Sequence, residues 1–482
     1  MKILRIPLVI VLIIVAGRAF NADAQTETIL HTFGSGTTNG AAPLAGLVQG
    51  SDGNFYGTTS SGGTGSTYGT VFRISPSGSY TNLYSFGSSL TNGYDSRAGL
   101  VQGSDGNFYG TAYYGGTNSC NCGTVFRIYP SGTYTNLYSF AGSPNDGGNP
   151  SAGLVQGIDG NFYGTASEGG IGFPYGTVFR ISPGGSYTNL YSFRGPPNDG
   201  NSPLAGLVQG SDSNFYGTTY SGGKSGLGTV FRMNPSGSYT NLYSFAGSPN
   251  DGANPDAGLV PGSDGNFYGT TSYGGTNGVE YGGDGTVFRI SPSGTYTSLY
   301  SFGSSPTDGE IPDAGLVLGS DGNFYGTTSA GGTNDVEYGG DGTVFRISPG
   351  GSHTNLYSFG SSSADGEDPE AGVVQGSDGN FYGTTFYGGA GGVGIVFKLT
   401  VPLNPAANQI SGIQLSGTNI IFTIPSVATE TYQLQFSSSM TPTNWVNVPG
   451  VSVTNSIGAL LTLTNFGGVV GPQGFFRFDI TP

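Results

Sequence analysis

Short apolar runs recur along the chain, separated by turns rich in Gly, Asp, Asn, Ser and Pro. In the second complete unit they are AGLVQG from Ala98, NFYGT from Asn107, GTVFRI from Gly123 and YTNLYSF from Tyr134. The apolar residues stand in adjacent pairs instead of alternating with polar ones, as is typical of strands buried on both faces. The turns SDGN and PSGT favour tight hairpins within the unit. Each unit is therefore predicted to be an antiparallel meander of four strands.

The segment GLVQGSDGNFYGT, which begins at Gly46, returns six times at spacings of 52–57 residues, which is typical of propeller blades, solenoid coils or module arrays. The later copies begin at Gly99, Gly153, Gly206, Gly258, Gly315 and Gly372. The seventh unit stops after its third strand, and TILHTF from Thr28 aligns with the missing fourth strand. A ring closed by its first strand needs this exchange, and an open solenoid does not. We predict an all-β seven-bladed β-propeller over residues 25–401, with a β-solenoid as the main alternative.

The repeated segments GLVQGSDGNFYGTT, GGxxxxGTVFRI and YTNLYSF resemble the GloVer tandem-repeat proteins of exported bacterial type over about residues 26–400. The resemblance implies an exported, surface-associated protein of unknown biochemical activity. It brings no catalytic residues to carry over.

Both ends of the chain depart from the repeat. Residues 1–24 have the charges of Lys2 and Arg5, a short apolar run and the segment Ala22-Asp23-Ala24 before Gln25, which is typical of a cleaved secretory signal. We expect no membrane span and a secreted or cell-surface protein, with the periplasm as the alternative compartment. Strand-like runs over residues 402–482 predict a small β-sandwich, and TYQLQFSSSMTPTNWVNV and GFFRFDI resemble immunoglobulin-like or fibronectin-type modules. Trp445 is interpreted as a core residue of that module.

Composition narrows the chemistry that this chain can perform. A formal net charge of −15 disfavours a nucleic-acid partner. The only histidines, His31 and His353, fall where other copies have Tyr, which disfavours Ser-His-Asp catalysis and a histidine zinc site. Cys120 and Cys122 favour a local disulfide or free thiols over a metal site.

A cation and an acid recur once in each blade. The cations lie on the third strand: Arg73, Arg127, Arg180, Arg232, Arg289, Arg346 and Lys398. The acids lie in the first hairpin: Asp52, Asp105, Asp159, Asp212, Asp264, Asp321 and Asp378. We interpret the two sets as repeated ion pairs that fix the hairpins, in preference to an anion-binding ring.

Sequence variation is concentrated in the loops between strands two and three and in the loops that cross to the next blade. Two neighbouring units carry longer loops, TNGVEYGGD and TNDVEYGGD. Their acids Glu280, Asp284, Asp335, Glu337 and Asp341 are the predicted ligand-binding residues, and calcium is the predicted cation, held by Asp284 and Asp341. The alternative interpretation is that these acids only solvate a Gly-rich surface.

Two functions are compatible with these features. The first is an exported, non-enzymatic binding, adhesion or surface-scaffold protein whose loop face meets a glycan or a cell-surface protein. The second is an extracellular polysaccharide hydrolase or lyase that uses paired carboxylates on the same face. Acids that share one concave site and have shifted pKa values would favour the second function.

Overall fold

A computed structural model describes residues 25–401 except 35–38, 65–67, 88–89, 145, 278–282, 306 and 335–339, together with the backbone of six strands between residues 412 and 481. The predicted signal segment and Trp445 lie outside the described residues. Seven four-stranded antiparallel sheets form the repeat region, so the predicted seven-bladed β-propeller is confirmed.

The strands of one blade occupy the same positions as those of the next. The first strands are Val48–Gln49, Val101–Gln102, Val155–Gln156, Val208–Gln209, Val260–Pro261, Val317–Leu318 and Val374–Gln375. The second strands are Phe55–Thr59, Phe108–Ala112, Phe162–Ala166, Phe215–Thr219, Phe267–Thr271, Phe324–Thr328 and Phe381–Thr385. The third strands are Thr70–Ile74, Thr124–Ile128, Thr177–Ile181, Thr229–Met233, Thr286–Ile290, Thr343–Ile347 and Ile395–Thr400. The fourth strands are Tyr80–Ser85, Tyr134–Ser139, Tyr187–Ser192, Tyr239–Ser244, Tyr296–Ser301, His353–Ser358 and, for blade seven, Thr26–Thr32.

Short two-residue ribbons join each crossing loop to the end of a second strand. The paired segments are Gly40–Ala41 with Ser61–Gly62, Gly147–Gly148 with Glu168–Gly169, Gly200–Asn201 with Ser221–Gly222, Gly252–Ala253 with Tyr273–Gly274, Gly309–Glu310 with Ala330–Gly331, and Gly366–Glu367 with Tyr387–Gly388. Blade two has a single bridge between Tyr94 and Tyr114 there, preceded by a 3-10 turn at Leu90–Asn92.

The N-terminal strand closes the ring. Thr26–Thr32 pairs with Ile395–Thr400 as the outer strand of blade seven, and the Phe33 amide donates to the Gly394 carbonyl at 3.0 Å. A threonine of each second strand also donates to an alanine carbonyl of the following blade at 2.8–3.1 Å. The seventh bond of this series runs from Thr384 back to Ala45. The predicted closure by the N-terminal strand is therefore confirmed.

The hydrophobic core lies between blades. The paired Phe and Tyr of each second strand point to opposite faces of the sheet, as successive strand residues do. The tyrosine of one blade stacks on the phenylalanine of the next with ring centroids 3.9–4.2 Å apart, from Tyr56 on Phe108 round to Tyr382 on Phe55. This arrangement explains why the apolar residues come in adjacent pairs.

Glycines line the axis of the ring. A Cβ atom at Gly46 would lie 3.0 Å from the Gly372 carbonyl oxygen of blade seven, and one at Gly99 would lie 3.2 Å from the Gly46 oxygen. The same close approach recurs around the ring, so the glycine that begins each GLVQG segment lets seven backbones meet at the centre.

The repeated arginine and aspartate are not ion pairs in the first six blades, so that prediction is wrong. Asp52 accepts hydrogen bonds from the Asn54 amide at 3.1 Å, from Asn54 Nδ2 at 2.8 Å and from the Tyr56 hydroxyl at 2.9 Å. Arg73 stands opposite Tyr56 in the strand register. The hairpin is closed by its own asparagine and tyrosine, which are nearer to the carboxylate than the arginine is.

Both histidines take tyrosine positions, as predicted. His31 stacks on Tyr80 with ring centroids 3.9 Å apart, and His353 stacks on Tyr300 at 4.2 Å. Cys120 and Cys122 form a disulfide, one of the two predicted states.

In the described part of the C-terminal segment, six strands form two three-stranded antiparallel sheets. The strands are Gly412–Ser416, Asn419–Pro425, Thr431–Ser437, Val446–Thr454, Leu460–Asn465 and Phe475–Thr481. The first, second and fifth form one sheet, and the other three form the second. Packing of these sheets as a sandwich stays a prediction.

Candidate functional site

Each crossing loop is held in a left-handed backbone conformation at one non-glycine residue. These residues are Ala42, Asp95, Asn149, Ser202, Asn254, Ile311 and Asp368, with φ between 54° and 57°. In blade five, the Asn254 amide donates to the Leu227 carbonyl of blade four at 2.8 Å, and its own carbonyl accepts from the Ser272 amide at 3.2 Å. The loops are thus fixed between neighbouring blades, which gives the loop face a rigid centre.

The residue before each axial Ala-Gly pair lies at the centre of that face. We call these seven residues the axial mouth: Leu44, Arg97, Ser151, Leu204, Asp256, Asp313 and Glu370. They surround the axis because the glycine two positions later approaches the equivalent glycine of the neighbouring blade. The mouth is not symmetric, since three adjacent blades contribute acids and blade two contributes the arginine.

The acids of the mouth affect one another's protonation. Burial and the charge of Asp313 raise the pKa of Asp256 to about 7. Burial, together with the charges of Asp368, Asp313 and Asp256, raises the pKa of Glu370 to about 7, against a smaller lowering by Arg97. Burial raises the pKa of Asp368 to about 6, with Asp313 as the strongest neighbouring charge. These groups therefore titrate near neutral pH as one coupled set.

Two of the charged mouth residues are held in place by neighbours. Ser329 Oγ donates to Asp313 Oδ2 at 3.2 Å. The Arg97 guanidinium donates twice to Asp95 Oδ2, at 3.0 and 2.8 Å, and its Cζ lies 3.9 Å from the centroid of the Tyr113 ring. The orientation of both side chains is thus fixed by contacts within the protein.

Only part of the predicted ligand site is described. Glu280, Asp335 and Glu337 lie outside the described residues. Asp284 and Asp341 occupy equivalent positions in blades five and six, where their carbonyls accept from the Ile311 and Asp368 amides at 3.0 Å. Burial and the charge of Asp308 raise the pKa of Asp284. Among the residues that the structure describes, no group of three or more His, Cys, Asp or Glu side chains is placed to hold a metal ion. Calcium binding by the five acids stays a prediction.

The crossing-loop aspartates are structural. Asp251 is buried, and its Oδ2 accepts from the Tyr243 hydroxyl and the Ala246 amide, both at 2.8 Å. Its Oδ1 accepts from the Gly252 amide at 2.8 Å. The tyrosine contact recurs at Asp146, Asp199, Asp308 and Asp365. These acids fix the loop and are not available to a ligand.

The axial mouth is not among the sites predicted from the sequence. In the sequence alone, Asp313 and Glu370 are two of many loop acids, and nothing distinguishes Asp256 from the others. The signal in the sequence is the position before each Ala-Gly pair, because its residue type differs between blades whereas the Ala-Gly pair itself is the same in all seven.

Comparison with solved structures finds similar chains at low identity. The extracellular domain of a protein assigned to the hybrid two-component systems of B. thetaiotaomicron has a TM-score of 0.49 and 13% identity, over 95% of this chain and 59% of that one. A puromycin hydrolase has a TM-score of 0.45 and 12% identity, over 81% of this chain and 60% of that one. An ulvan lyase has a TM-score of 0.42 and 9% identity, over 76% and 90%. This chain thus spans less than two thirds of the first two, and no functional conclusion follows from these similarities.

A comparison with curated protein sequences finds no match. Within the part of the chain that the structure describes, no helix is both long and apolar enough to cross a membrane. The Gloeobacter/Verrucomicrobia repeat matches residues 16–196, 121–336 and 276–418. Because these matches cover most of the chain and the described repeats form the seven blades, this protein belongs to the Gloeobacter/Verrucomicrobia repeat family.

Proposed function

We propose that this protein is an exported, non-enzymatic binding or surface-scaffold protein whose axial mouth contacts a glycan or a cell-surface protein. The supporting observation is the asymmetry of the mouth. The core positions are nearly identical in all seven blades, whereas the mouth carries Asp256, Asp313 and Glu370 on one side and Arg97 on another. Side chains that vary on a rigid, repeated scaffold are where binding specificity resides.

The chemistry of the mouth suits a ligand rich in hydrogen-bond donors. Carboxylates accept hydrogen bonds from sugar hydroxyl groups, from amino sugars and from lysine or arginine side chains. Desolvation of Asp256 and Glu370 strengthens such contacts, because the effective dielectric around them is lower than in water. A donor-rich ligand would also relieve the mutual repulsion of the three acids.

The alternative is a polysaccharide hydrolase or lyase, and one observation favours it. Asp256 and Glu370 both have a pKa of about 7 and interact with each other. A carboxylic acid with a pKa near the working pH is what general acid catalysis requires. Structural clusters of like charges produce the same shifts, so the binding role is preferred.

The test is a screen of glycans and soluble polysaccharides with the mature protein, residues 25–482, in which binding and chain cleavage are both measured. We expect binding without cleavage. The variants Asp256→Asn, Asp313→Asn and Glu370→Gln should each weaken that binding at least tenfold. The matched control is Glu168→Gln, which removes an exposed acid of the same face outside the mouth.

Either of two results would contradict the proposal. Cleavage that is abolished by Asp256→Asn or Glu370→Gln would establish the enzymatic alternative. Binding that is equally strong in the three mouth variants and in the control would show that the mouth does not contact the ligand.

A further inference from the structure

A separate concave site lies on the loop face between blades four and five. Leu227 of blade four forms one wall, and residues 246–248 of the crossing loop form another. Residues 253–254 and Tyr273 of blade five complete the lining, and every lining residue belongs to the described part of the chain. The volume is about 400 Å³, which lies in the range of small-ligand sites. We call this site the interblade pocket.

The lining of the interblade pocket is mainly apolar. Leu227, Ala246 and Ala253 contribute aliphatic side chains. Tyr273 is 37% exposed, and among the described residues its ring stacks on no other aromatic ring. An exposed aromatic ring beside small aliphatic side chains offers a flat apolar surface with a polar hydroxyl at its end. The pocket therefore suits a flat ligand that has one apolar face.

Hydrogen bonds fix the walls of the interblade pocket. The Asn254 amide donates to the Leu227 carbonyl at 2.8 Å, and Asn254 Nδ2 donates to the Tyr220 carbonyl at 3.1 Å. On the opposite wall, the Ala246 amide donates to the buried carboxylate of Asp251 at 2.8 Å. Because both walls are fixed by the protein itself, little conformational entropy is lost when a ligand enters the pocket.

The sequence produces this combination of side chains at one junction only. Each junction joins the residue two positions before the third strand of one blade to the residue two positions after the second strand of the next blade. The seven pairs are Tyr68 with Tyr114, Cys122 with Glu168, Tyr175 with Ser221, Leu227 with Tyr273, Asp284 with Ala330, Asp341 with Tyr387, and Val393 with Ser61. Only Leu227 and Tyr273 combine an aliphatic with an aromatic side chain. At the preceding junction the Tyr175 ring takes up the space, since it lies 2.9 Å from where a Cβ atom of Gly195 would stand.

The interblade pocket adjoins the acidic side of the axial mouth. Asn254 of the pocket and Asp256 of the mouth are two residues apart, so their Cα atoms are at most about 7 Å apart. Burial raises the pKa of Tyr220, and the electrostatic effect of Tyr273 adds to the rise. Asp256 and Asp313 raise that pKa further, so Tyr220 lies close both to the pocket tyrosine and to two mouth acids. A ligand that fills the pocket and extends toward the axis therefore meets carboxylates.

We propose that the interblade pocket binds an amino-sugar glycan that carries both N-acetyl groups and free amino groups. The pyranose ring of an N-acetylated unit lies on Tyr273, and its acetyl methyl group packs against Leu227 and Ala253. The ammonium group of a neighbouring unit pairs with Asp256, as charge-assisted contacts with carboxylates are the strong ones. This proposal rests on the proposed binding role and names the class of glycan.

The charge and shape of the surroundings favour this ligand over others. Three of the seven mouth residues are acids and one is a base, which favours a cationic ligand over a neutral or acidic one. The exposed ring of Tyr273 suits the face of a pyranose, which is flat and rich in C–H groups. A peptide with leucine near arginine has the same charge without that flat face, and it is the competing ligand in the test.

The test is isothermal titration calorimetry of residues 25–482 at pH 7. The probes are glucosamine hexasaccharides that are half N-acetylated, fully N-acetylated or fully deacetylated, and the peptide acetyl-Leu-Ala-Arg amide. The half-acetylated hexasaccharide should bind at least tenfold more tightly than either uniform one, because only this probe both fills the pocket and pairs with the acids.

Two variants place in the pocket a residue type that the repeat already has at the equivalent position. Tyr273→Ser follows Ser221 and removes the ring, whereas Leu227→Tyr follows Tyr175 and fills the space. Each should weaken binding of the half-acetylated hexasaccharide at least tenfold. The matched control is Tyr387→Ser, which removes an exposed tyrosine at the same position of blade seven and should change the Kd less than twofold. Thermal melts check that each variant remains folded.

The outcomes separate this proposal from the axial mouth. Binding of a glycan that is weakened by Asp256→Asn but not by Tyr273→Ser would leave the proposed function standing and overturn the interblade pocket. Binding that is weakened by Tyr273→Ser but not by Asp256→Asn would support the pocket and contradict the ammonium contact and the role of the mouth. Equal affinity for the three hexasaccharides, tighter binding of the peptide, or no binding of any probe would overturn the assigned ligand.

Discussion

Phe33 tests how much the N-terminal strand contributes to the stability of the ring. Its side chain is completely buried between blades seven and one, where it meets the Phe72 ring edge-on with centroids 5.5 Å apart. Replacing a buried phenylalanine by alanine destabilises a protein by about 3–5 kcal/mol, through lost burial and the cavity left behind. Phe33→Ala should therefore produce a loss of this size, although the residue lies close to the start of the described part of the chain.

The expected shift in melting temperature follows from the size of the propeller. An unfolding entropy of about 2.1 cal/mol/K per residue gives roughly 0.8 kcal/mol/K for residues 25–401. A loss of about 3–5 kcal/mol then lowers the Tm by about 4–6 °C. The assay is differential scanning calorimetry of residues 25–482 at pH 7.5.

Ile29 supplies the matched control on the same strand. Its side chain is 36% exposed, so Ile29→Ala should lower the Tm by no more than about 1 °C. Deletion of residues 25–34, which also exposes the edge of the strand that ends at Thr400, should lower it far more than Phe33→Ala does. Equal Tm values for Phe33→Ala and Ile29→Ala would refute the reasoning, because the packing of Phe33 would then contribute no more to stability than the exposed side chain of Ile29.

Four further outcomes are expected. Gly372→Ala should destabilise the protein clearly more than Gly315→Ala in urea unfolding, because an added Cβ would lie 2.6 Å from a neighbouring carbonyl oxygen in the first case and 3.6 Å in the second; equal midpoints would contradict the axial packing. Asp256→Asn should raise the Tm more at pH 8 than at pH 5. The pKa of Asp256 is about 7 in the folded protein and 3.8 in the unfolded chain, so the Asp256 carboxyl lowers the stability of the folded protein as the pH rises from 3.8 through 7. The opposite sign holds for His31, whose folded pKa of about 4 lies below its unfolded pKa of 6.5. Stability is lost as the pH falls from 6.5 to 4, and His31→Tyr should reduce that loss in acid melts. Millimolar calcium should raise the Tm relative to chelator if the predicted acids bind it, and Asp284→Ala should remove the rise; identical melts would leave these acids as solvating surface.

The ring was predictable because it depends on counting strands. The seventh unit lacks YTNLYSF, and the segment TILHTF before the first unit supplies the missing strand. This match can be seen in the sequence without coordinates. The adjacent Phe and Tyr of NFYGT likewise indicated burial on both faces, since neighbouring residues of a strand point to opposite sides.

The polar contacts were harder to predict because several donors compete for one acid. Asp52 could pair with Arg73 by charge. Instead, Asn54 and Tyr56, which lie two and four residues away on the same hairpin, donate hydrogen bonds to its carboxylate. The acidic residues of a crossing loop are of the same residue type but have two different roles. Asp251 is buried by its tyrosine, whereas Asp256, five residues later, lies at the axis, and only the three-dimensional arrangement separates them.

The central claim is a closed ring in which blades seven and one are neighbours. Double electron–electron resonance measures it directly, with Cys120 and Cys122 changed to serine and nitroxide labels on cysteines introduced in pairs. Thr64, Thr117 and Ala390 are exposed and occupy the same loop position in blades one, two and seven. In a closed ring, the distance between labels at positions 64 and 390 should equal the distance between labels at positions 64 and 117. A distance between 64 and 390 that is several times longer, as in an open array of seven units, would contradict it.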